Sequence, residues 1–555
     1  MRINKFEIAV IGFLLIGASI RAVSGLTSLP LVTGHAITLL ALFIVCQSLA
    51  AKISYRGAGL FFAFTALLLI VEIAIQILTG LHVNWFVISL LLEGNLKQNT
   101  GMSAPLLGSL LVAATLGLYW TNTKFSGHTI KVIAPRIIFM GAVAAAVTQL
   151  IYAVAFYQGS TEAIQVRRNI PFFWTPHPYQ SNKLLSYVFG PRGENPFSLS
   201  KVRPEDAVYT VGPPVLTPLS QRAGAAPPNI LLIVTDSLRS KDIKADPELA
   251  PTLMSASGQN GYLSLDHYSV SNCTHFSLYS MFTGNLPTSY GTARARKAGT
   301  GMFAEISAAG YSLTTAESVS LDWYDLSDII LPTETERWIG NEDEDTLESD
   351  RQVTLKTIEQ LKKWKQTGKP GIHLAYYFGT HFPYSEALGS AEMSRLDLYK
   401  TAIGLFDIEL AKILDALNQQ GLDDNTLVIV TSDHGEEFYE NGRVGHASRL
   451  SDEQVQVPLL VLGTQNQSLV PPSQRGIPEL IYSTIEPSRA QSQPPKSIYL
   501  ANCGYDFPEA FAVLNKNGRF DFTFDNGYLI PSNSLPDGQQ ANMRKAAADL
   551  LKSIE

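Results

Sequence analysis

The chain has 555 residues, of which 46% are apolar and only 16% are charged, and its formal net charge is −7. The charges are divided unevenly: residues 1–160 hold nine basic and three acidic side chains, whereas the remainder carries a net charge of −13. This excludes a single soluble domain, a disordered chain and a nucleic-acid-binding protein with a basic surface, and it predicts a membrane part followed by a large acidic soluble part.

Five apolar stretches near the N-terminus are long enough to cross a bilayer, which takes about 20 mostly apolar residues. They cover residues 6–24, 33–51, 58–79, 105–121 and 136–157. We therefore predict a transmembrane domain over residues 1–157. Lysine and arginine concentrate in the loops on one side, which places the N-terminus in the cytoplasm and the acidic part outside it. In a Gram-negative cell that outer compartment is the periplasm.

Two features of this part have more than one interpretation. The apolar stretch 82–98 is short and contains Trp85, so we expect an interfacial helix at the outer surface; a re-entrant sixth segment is the alternative. Glu72 lies inside the third predicted span. An intramembrane carboxylate is a candidate functional group, and a hydrogen bond to a neighbouring helix explains it equally well.

Residues 158–228 form a predicted periplasmic linker that is rich in Pro, Tyr, Phe and Ser. Its aromatic side chains, together with Arg167, Arg168 and Lys183, suit the headgroup zone of a membrane. A linker that is simply solvated has the same composition, so both interpretations stand.

Buried-strand patterns alternate with helical patterns after the linker. The strands are NILLIVTD (229–236), GIHLAYYFGTHFPY (371–384) and TLVIVTSDHG (426–435), and the helices cover residues 350–367 and 394–420. This alternation is typical of an α/β domain with a mostly parallel sheet, which we place at residues 229–465. Residues 466–555 are predicted to be a C-terminal subdomain.

That subdomain has two recognisable patterns. Residues 511–531 alternate between apolar and polar side chains and contain Asn-Gly at 517–518 and 526–527. Asn-Gly pairs favour tight hairpin turns, so we predict a small antiparallel sheet. Residues 538–555 are predicted to form a terminal amphipathic helix.

Chemistry-bearing side chains stand where the predicted strands end. They are Asp236, His381, Asp433 and His434. Ligands of parallel sheets bind beyond the carboxyl ends of the strands, so we expect these side chains to lie close together. Two carboxylates and an imidazole suit a divalent cation such as zinc or manganese. His446, twelve positions after His434, can fold back over the same site.

The segment SNCTHFSLYSMFTG (271–284) predicts a polar loop that enters a short helix. A hydroxyl at a helix start lies in positive potential, which favours an alkoxide and an incoming anion. Thr274 is therefore the candidate nucleophile and Cys273 is its rival, while an ordinary N-cap role for Thr274 is the alternative. A disulfide between Cys273 and Cys503 is possible in an oxidising compartment but does not follow from counting cysteines.

Four segments together resemble the sulfatase and alkaline-phosphatase superfamily: VTDSLRS, the helix start ending in FTG, THFPY and TSDHGEEFYENGRVGHAS. The resemblance implies one divalent metal ion (zinc, manganese or magnesium) and contacts from two histidines to a phosphate or sulfate group. The implied metal ligands are Asp236, Thr274, Asp433 and His434, and the implied anion contacts are His381 and His446. The predicted spans narrow the resemblance to the membrane-anchored branch, which includes lipoteichoic-acid synthases and lipid A phosphoethanolamine transferases.

Within that branch the chain most resembles the YejM (PbgA) group of inner-membrane sulfatase-like proteins. The segments EAIQVRRNIPFFWTP, GHASRLSDEQVQVPLLV and FAVLNKNGRFDFTFDNG carry this resemblance. It implies an inner-membrane protein with a large periplasmic domain, control of lipopolysaccharide synthesis, and lipid A or cardiolipin binding at the linker. Several members of the group are thought to have lost activity. Asn182 and Lys183 stand where the group carries basic residues for lipid headgroups.

The chain departs from the formylglycine sulfatases. Those enzymes need Cys-x-Pro-x-Arg, whereas Thr274 occupies the nucleophile position here, with Phe276 and Leu278 in place of Pro and Arg. We therefore expect no formylglycine chemistry. Asp236 is followed by Ser237 where many sulfatases carry a second acid, which favours one metal ion over two.

These residues predict a metal-dependent hydrolase or phospho-group transferase that acts on phospholipid or lipid A headgroups in envelope metabolism. The alternative is a non-catalytic lipid sensor that regulates lipopolysaccharide synthesis with other inner-membrane proteins as partners. A transporter is disfavoured because the spans show no repeat or pair of broken helices. No nucleic-acid partner is expected.

Overall fold

The chain divides into two compact units, Met1–Ser198 and Leu199–Glu555. The computed structural model describes residues 2–20, 29–78, 83, 104–124, 129–131, 134–157, 216–221, 227–258, 261–297, 301–341, 345–389, 393–463, 470–487, 497–504, 506–508, 510–525, 528–532 and 537–554. The linker residues Arg167, Arg168, Asn182 and Lys183 lie outside the described residues, as does the segment 82–98 apart from Val83.

The described part of the first unit is helical, and each helix overlaps one of the predicted spans. The helices are α1 (Lys5–Ser19), α2 (Leu29–Ile53), α3 (Tyr55–Leu78), α4 (Ala104–Lys124) and α5 (Ala134–Tyr157), and two short strands, β1 (Arg2–Asn4) and β2 (Thr129–Lys131), pair antiparallel. By length and apolar composition, Leu29–Ile53 and Tyr55–Ile77 could cross a membrane, and the apolar segment Arg136–Ile151 within α5 is shorter.

Buried carboxylates in this unit are hydrogen-bonded. Glu7 on α1 accepts from the side-chain amides of Gln47 on α2 (2.8 Å) and Asn122 on α4 (2.7 Å). Glu72 on α3 accepts from the backbone N–H of Val83 at 2.9 Å. Since an unpaired polar group costs several kcal/mol away from water, such bonds help to hold the helices together.

The second unit is built on a seven-stranded sheet. Its strands are β3 (Asn229–Thr235), β4 (Gly261–Tyr268), β5 (Ser312–Glu317), β6 (Glu336–Ile339), β7 (Gly371–Tyr377), β8 (Thr426–Ser432) and β11 (Gln456–Leu462), and a separate hairpin joins β9 (Glu437–Phe438) to β10 (Val444–Gly445). The order is β4-β11-β8-β3-β7-β5-β6, and β11 runs opposite to the other six strands, so its pairings with β4 and β8 are antiparallel.

The described residues of this unit also form eleven α-helices. They are α6 (Ser240–Ala245), α7 (Pro251–Ser255), α8 (Thr274–Thr283), α9 (Tyr290–Arg296), α10 (Met302–Ala308), α11 (Leu326–Ile330), α12 (Thr346–Thr367), α13 (Arg395–Gln419), α14 (Asp452–Val455), α15 (Ile477–Ile485) and α16 (Asp537–Ile554). The long α12 begins at the N-cap Asp345 and ends at Gly368, whose φ is +61°. The predicted helix 350–367 therefore starts one turn earlier than expected.

The central strands β3, β7 and β8 are buried along their whole length, as continuous apolar runs require. One face of the sheet packs against α12 and α13, whose apolar stripes include Leu361, Phe406 and Leu410. The predicted α/β domain with a mostly parallel sheet is confirmed. The same core places the carboxyl ends of three strands side by side.

The predicted C-terminal antiparallel sheet is also present. It consists of β12 (Ile498–Ala501), β13 (Ala510–Asn515), β14 (Gly518–Asp525) and β15 (Tyr528–Pro531), paired in sequence order. The chain turns between β13 and β14 at Lys516 and Asn517, and the glycine of the first Asn-Gly pair, Gly518, begins β14 with a φ of +121° that disfavours any other residue. The second pair lies outside the described residues.

Candidate active site

The site begins with the register of two neighbouring strands. β3 and β8 run parallel with Thr235 opposite Ser432, so the residues that follow them, Asp236 and Asp433, emerge side by side. Together with His434 they are fully buried, and their ligand atoms all lie within 4.8 Å of one another. We call these three residues the cation cradle.

The separations within the cradle fit one small metal ion. The Nε2 atom of His434 lies 3.3 Å from Asp433 Oδ2 and 3.9 Å from Asp236 Oδ1. Ligands bound at about 2.0–2.2 Å in a tetrahedral site are about 3.3–3.6 Å apart. The cradle therefore has nearly the spacing that a zinc-sized ion imposes.

At Asp433 and His434, contacts with the backbone engage one side-chain atom and leave the other one for the cradle. Asp433 Oδ1 accepts from the backbone N–H groups of Ser237 (3.0 Å) and His434 (2.7 Å), whereas its buried Oδ2 has no partner among the described residues. The Nδ1 atom of His434 lies 3.0 Å from the Gly435 carbonyl. This contact fixes the tautomer with the lone pair on Nε2, which faces the cradle. The donor set thus fits a divalent cation.

Thr274 brings a hydroxyl to this cradle. It is the first residue of α8, and its Oγ1 lies 3.2 Å from His434 Nε2 and 3.4 Å from Asp236 Oδ2. The N-cap position belongs to Cys273, so the N-cap alternative for Thr274 is wrong. Cys273 is disulfide-bonded to Cys503, which leaves Thr274 as the nucleophile candidate of the two.

Two further imidazoles stand beside the cradle. The ring of His446 lies 4.3 Å from that of His434 and 5.2 Å from that of His381, centroid to centroid. The buried Nδ1 atoms of His381 and His446 have no hydrogen-bond partner among the residues that the structure describes. We call these two residues the imidazole pair. Glu436 Oε2 lies 3.6 Å from Nδ1 of His446.

Backbone strain marks the same region. Ser237, directly after Asp236, has a φ of +65°, and Ala447, directly after His446, has the same value. Residues other than glycine avoid this conformation, which costs about 1–3 kcal/mol and persists where the surroundings enforce it. Both strained residues directly follow candidate site residues. This is expected where the position of a functional side chain is kept at the cost of an unfavourable backbone conformation.

Comparison with known proteins agrees with this geometry. Residues 228–476 match the family model described as Sulfatase. This segment is a sulfatase-family domain. It contains every candidate site residue, and the superfamily predicted from the motifs is confirmed. No curated protein sequence matches the chain.

Solved structures extend the likeness to membrane proteins. The chain is similar to the integral membrane lipooligosaccharide phosphoethanolamine transferase A (EptA) from Neisseria meningitidis, with a TM-score of 0.54 and 14% identity over 86% of this chain and 95% of that one. An alkaline phosphatase superfamily protein from Vibrio parahaemolyticus (TM-score 0.45, 14% identity, 66% and 96% coverage) and the lipoteichoic acid synthase LtaP from Listeria monocytogenes (TM-score 0.43, 14% identity, 60% and 92%) also match. At this identity the EptA match shows a shared fold.

Burial and charge set the protonation of the sulfatase-family site. Burial lowers the pKa of His434 to about 3, so its imidazole is neutral and able to bind a cation. Burial also lowers the pKa of His381. At His446 burial acts in the same direction, but the Glu436 carboxylate outweighs it and raises the pKa of His446.

The two carboxylates of the cradle respond differently to their surroundings. Burial favours the neutral form of Asp236, but the three nearby imidazoles outweigh it and lower the pKa of Asp236. Burial and the charge of Asp236 raise the pKa of Asp433. Two acids this close together repel each other when both are ionised, and a bound cation removes that penalty.

Sequence reasoning missed two residues of the site. Tyr376 donates a hydrogen bond from its hydroxyl to Asp236 Oδ2 at 2.6 Å, and it lies one residue before the end of the buried strand β7. Glu436 follows the Asp433-His434 pair by two positions. A buried tyrosine near a strand end and a carboxylate inside the TSDHGEE motif were the available signals.

Proposed function

We propose that the chain is an inner-membrane, metal-dependent hydrolase or phospho-group transferase that acts on the headgroups of phospholipids or lipid A. One observation carries the proposal: the Thr274 hydroxyl lies within 3.4 Å of two members of the cation cradle, next to the imidazole pair. A nucleophile, a cation site and candidate acids are the parts that phosphoryl transfer needs.

Four residues would hold one divalent ion (zinc, manganese or magnesium): Asp236, Thr274, Asp433 and His434. When bound, the ion would supply positive charge against the developing negative charge on the phosphoryl oxygens and would lower the pKa of the threonine hydroxyl. Thr274 also stands at the N-terminus of α8, where the helix dipole favours an anion.

The residues support a two-step reaction on a phosphodiester. Thr274 Oγ1 gives up its proton to solvent and attacks phosphorus; a new P–O bond forms, and the bond to the lipid alkoxide breaks. His381 or His446 gives the departing alkoxide its proton, since both lie beside the cradle. Water or an acceptor hydroxyl then attacks the phospho-threonine, and the P–O bond to Thr274 breaks. The same imidazole takes up the proton that this nucleophile loses, and the Thr274 oxygen regains a proton from solvent.

The proposal also gives the chain its place in the cell. The five helices of the first unit would span the inner membrane with the N-terminus in the cytoplasm, and the sulfatase-family domain would lie in the periplasm. Two of these helices pass the length and apolarity requirement for a span, and the integral membrane protein EptA shares the fold over 86% of this chain. A substrate that is a lipid headgroup fits this placement.

Formylglycine sulfatase chemistry has no place in this proposal. The position before Thr274 is a cysteine, but its sulfur is bonded to Cys503. Phe276 and Leu278 also stand where the modifying machinery needs Pro and Arg. The hydroxyl of Thr274 is therefore the nucleophile we propose.

The covalent intermediate is the direct test. The purified full-length chain, loaded with zinc or manganese in detergent, is incubated with vesicles of phosphatidylethanolamine and phosphatidylglycerol and digested for mass spectrometry. We expect a phosphodiester adduct on Thr274, its retention in Thr274→Ser and its absence in Thr274→Val. Thr283→Val, on the same helix but nine residues away, is the matched control and should keep the adduct on Thr274.

The regulatory alternative makes the opposite prediction. If the chain is a non-catalytic lipid sensor, no adduct forms, and both Thr274→Ala and Asp433→Ala restore growth to a strain that lacks the gene. That combination of results would contradict the enzymatic proposal. Failure of both variants to complement, at normal protein levels, would contradict the sensor.

A further inference from the structure

The turn that carries His381 is held by contacts on both sides. It follows β7 directly, and the N–H of His381 closes it by donating to the Phe378 carbonyl at 2.9 Å. The ring of Phe378 stacks on the His381 imidazole with centroids 4.3 Å apart and planes 25° apart. The position of the imidazole therefore depends on where the backbone of this turn is fixed.

One side of the turn is fixed by a carboxylate from α12. Asp350 is buried, and its Oδ1 accepts the backbone N–H of Phe378 at 3.0 Å while its Oδ2 accepts that of Gly379 at 2.9 Å. Two consecutive N–H groups thus converge on one side chain. Without that side chain both would be buried donors lacking a partner, each at a cost of about 1–3 kcal/mol.

The close approach explains the glycine in this turn. A Cβ atom on Gly379 would lie 2.5 Å from Asp350 Oδ2, which is shorter than any real contact of this kind. An alanine here would push the turn away from the carboxylate without removing the charge. Substitutions at Gly379 and at Asp350 are therefore two independent ways to disturb the same contact.

The other side of the turn is fixed to the cation cradle. Thr380 Oγ1 donates to the backbone carbonyl of Asp236 and lies 2.9 Å from Thr235 Oγ1. The turn is consequently fixed between α12 and the end of β3, directly before a cradle carboxylate. Asp350 itself belongs neither to the cradle nor to the imidazole pair.

Keeping a carboxylate at this position has a cost. Burial and the nearby Glu409 together raise the pKa of Asp350 to about 6, against the lowering effect of its hydrogen bonds. Tyr377 lies near Asp350 and offers no compensating charge, because burial raises the pKa of its hydroxyl and keeps it neutral. An ionised carboxylate at this position destabilises the fold at neutral pH, yet it binds two N–H groups of the turn that carries His381. This combination indicates that Asp350 has a functional role.

We propose that Asp350 is a positioning residue that sets the His381 imidazole beside the cation cradle through the N–H groups of Phe378 and Gly379. The inference rests on the proposed function, because it deepens the role given there to His381. A misplacement of about 1 Å in such a group can lower a rate about 100-fold.

The test uses the full-length, metal-loaded chain and three variants. Asp350→Asn replaces one acceptor oxygen by a donor, Gly379→Ala moves the turn, and Asp407→Asn is the matched control. Asp407 is another buried carboxylate that accepts two consecutive N–H groups, those of Thr252 and Leu253, both at 2.9 Å. We measure kcat, KM and bound metal on the lipid substrate that labels Thr274.

We expect Asp350→Asn and Gly379→Ala to lower kcat about 30- to 100-fold while KM and metal content change less than about threefold. Asp407→Asn should keep kcat within about threefold of the wild type. An equal loss of kcat in the control, or an unchanged kcat in both turn variants, would overturn the proposal.

A second readout separates this inference from the proposed function. Hydrogen exchange by mass spectrometry needs no activity, and Asp350→Asn should accelerate exchange in the peptide that covers Phe378 to His381, whereas Asp407→Asn should not. If the wild type is inactive, the proposed function fails while this measurement still decides the contact. Unchanged exchange in Asp350→Asn would show that the carboxylate does not hold the turn.

Discussion

The cation cradle and the imidazole pair are built in different ways. The cradle residues Asp236 and Asp433 follow two strands in fixed register, so the sheet itself determines how far apart they lie. The imidazole pair stands on loops, and His381 and His446 depend on neighbours such as Asp350 and Glu436. The cradle would bind a cation, whereas the imidazole pair would bind or protonate a substrate. Mutations in these two groups should therefore have different effects.

Removing a cradle carboxylate should have the largest effect. Asp433→Ala and Asp236→Ala each take away one candidate ligand from a three-residue cluster, so we expect bound metal to fall about tenfold or more and turnover to fall about 1000-fold. Elemental analysis and a phosphodiester assay on the same preparations measure both quantities. Full metal content in either variant would show that the cradle is not the metal site.

Removing an imidazole should have a smaller and different effect. We expect His446→Ala and His381→Ala to lower kcat about 100- to 1000-fold while the metal content stays near that of the wild type. The separation of the two readouts is what distinguishes the imidazole pair from the cradle. If these variants lost as much metal as Asp433→Ala, the imidazole pair would belong to the metal site and the distinction from the cradle would be wrong.

The disulfide beside the nucleophile should matter mainly for stability. Cys273 and Cys503 are 230 positions apart, and Cys273 is the N-cap residue of the helix that begins with Thr274. Cys273→Ser with Cys503→Ser should destabilise the second unit by about 2–5 kcal/mol, seen as a lower midpoint of thermal unfolding. The adduct on Thr274 should still form at low temperature; its complete loss would make the disulfide part of the site.

The smallest effect concerns an imidazole outside the site. His373 on β7 lies between Thr314 (2.7 Å) and Thr357 (3.1 Å), and burial lowers its pKa to about 3. The unfolded chain binds a proton more readily, so stability is lost as the pH falls from 6.5 towards 3. His373→Gln should flatten this part of the stability profile, measured by circular dichroism at several pH values. If the variant lost stability at acid pH as the wild type does, the burial of a neutral His373 would not explain that loss.

Patterns of burial decided which parts of the fold could be predicted. The strands β3, β7 and β8 are continuous apolar runs, and their ends located the cradle. The strand β6 was not predicted because its four residues are half-buried or exposed, and β5 because two threonines interrupt its apolar pattern. Neither strand shows the period that sequence reasoning relies on.

Long-range contacts explain most of what the sequence left open in the site. Asp350 lies in the second turn of a helix and contacts a turn 28 positions away, so nothing local marks it as different from a surface aspartate. The pairing of Cys273 with Cys503 depends on how the C-terminal sheet meets the loop before α8. The partners Tyr376 and Asp236 are likewise joined only by the register of neighbouring strands.

The metal content of the full-length chain tests the central claim most directly. We predict about one zinc or manganese ion per chain after purification and dialysis, and about tenfold less in Asp433→Asn, whose matched control Asp407→Asn keeps the wild-type value. No bound metal in the wild type, even after it is supplied with each candidate ion, would contradict the account of the cation cradle.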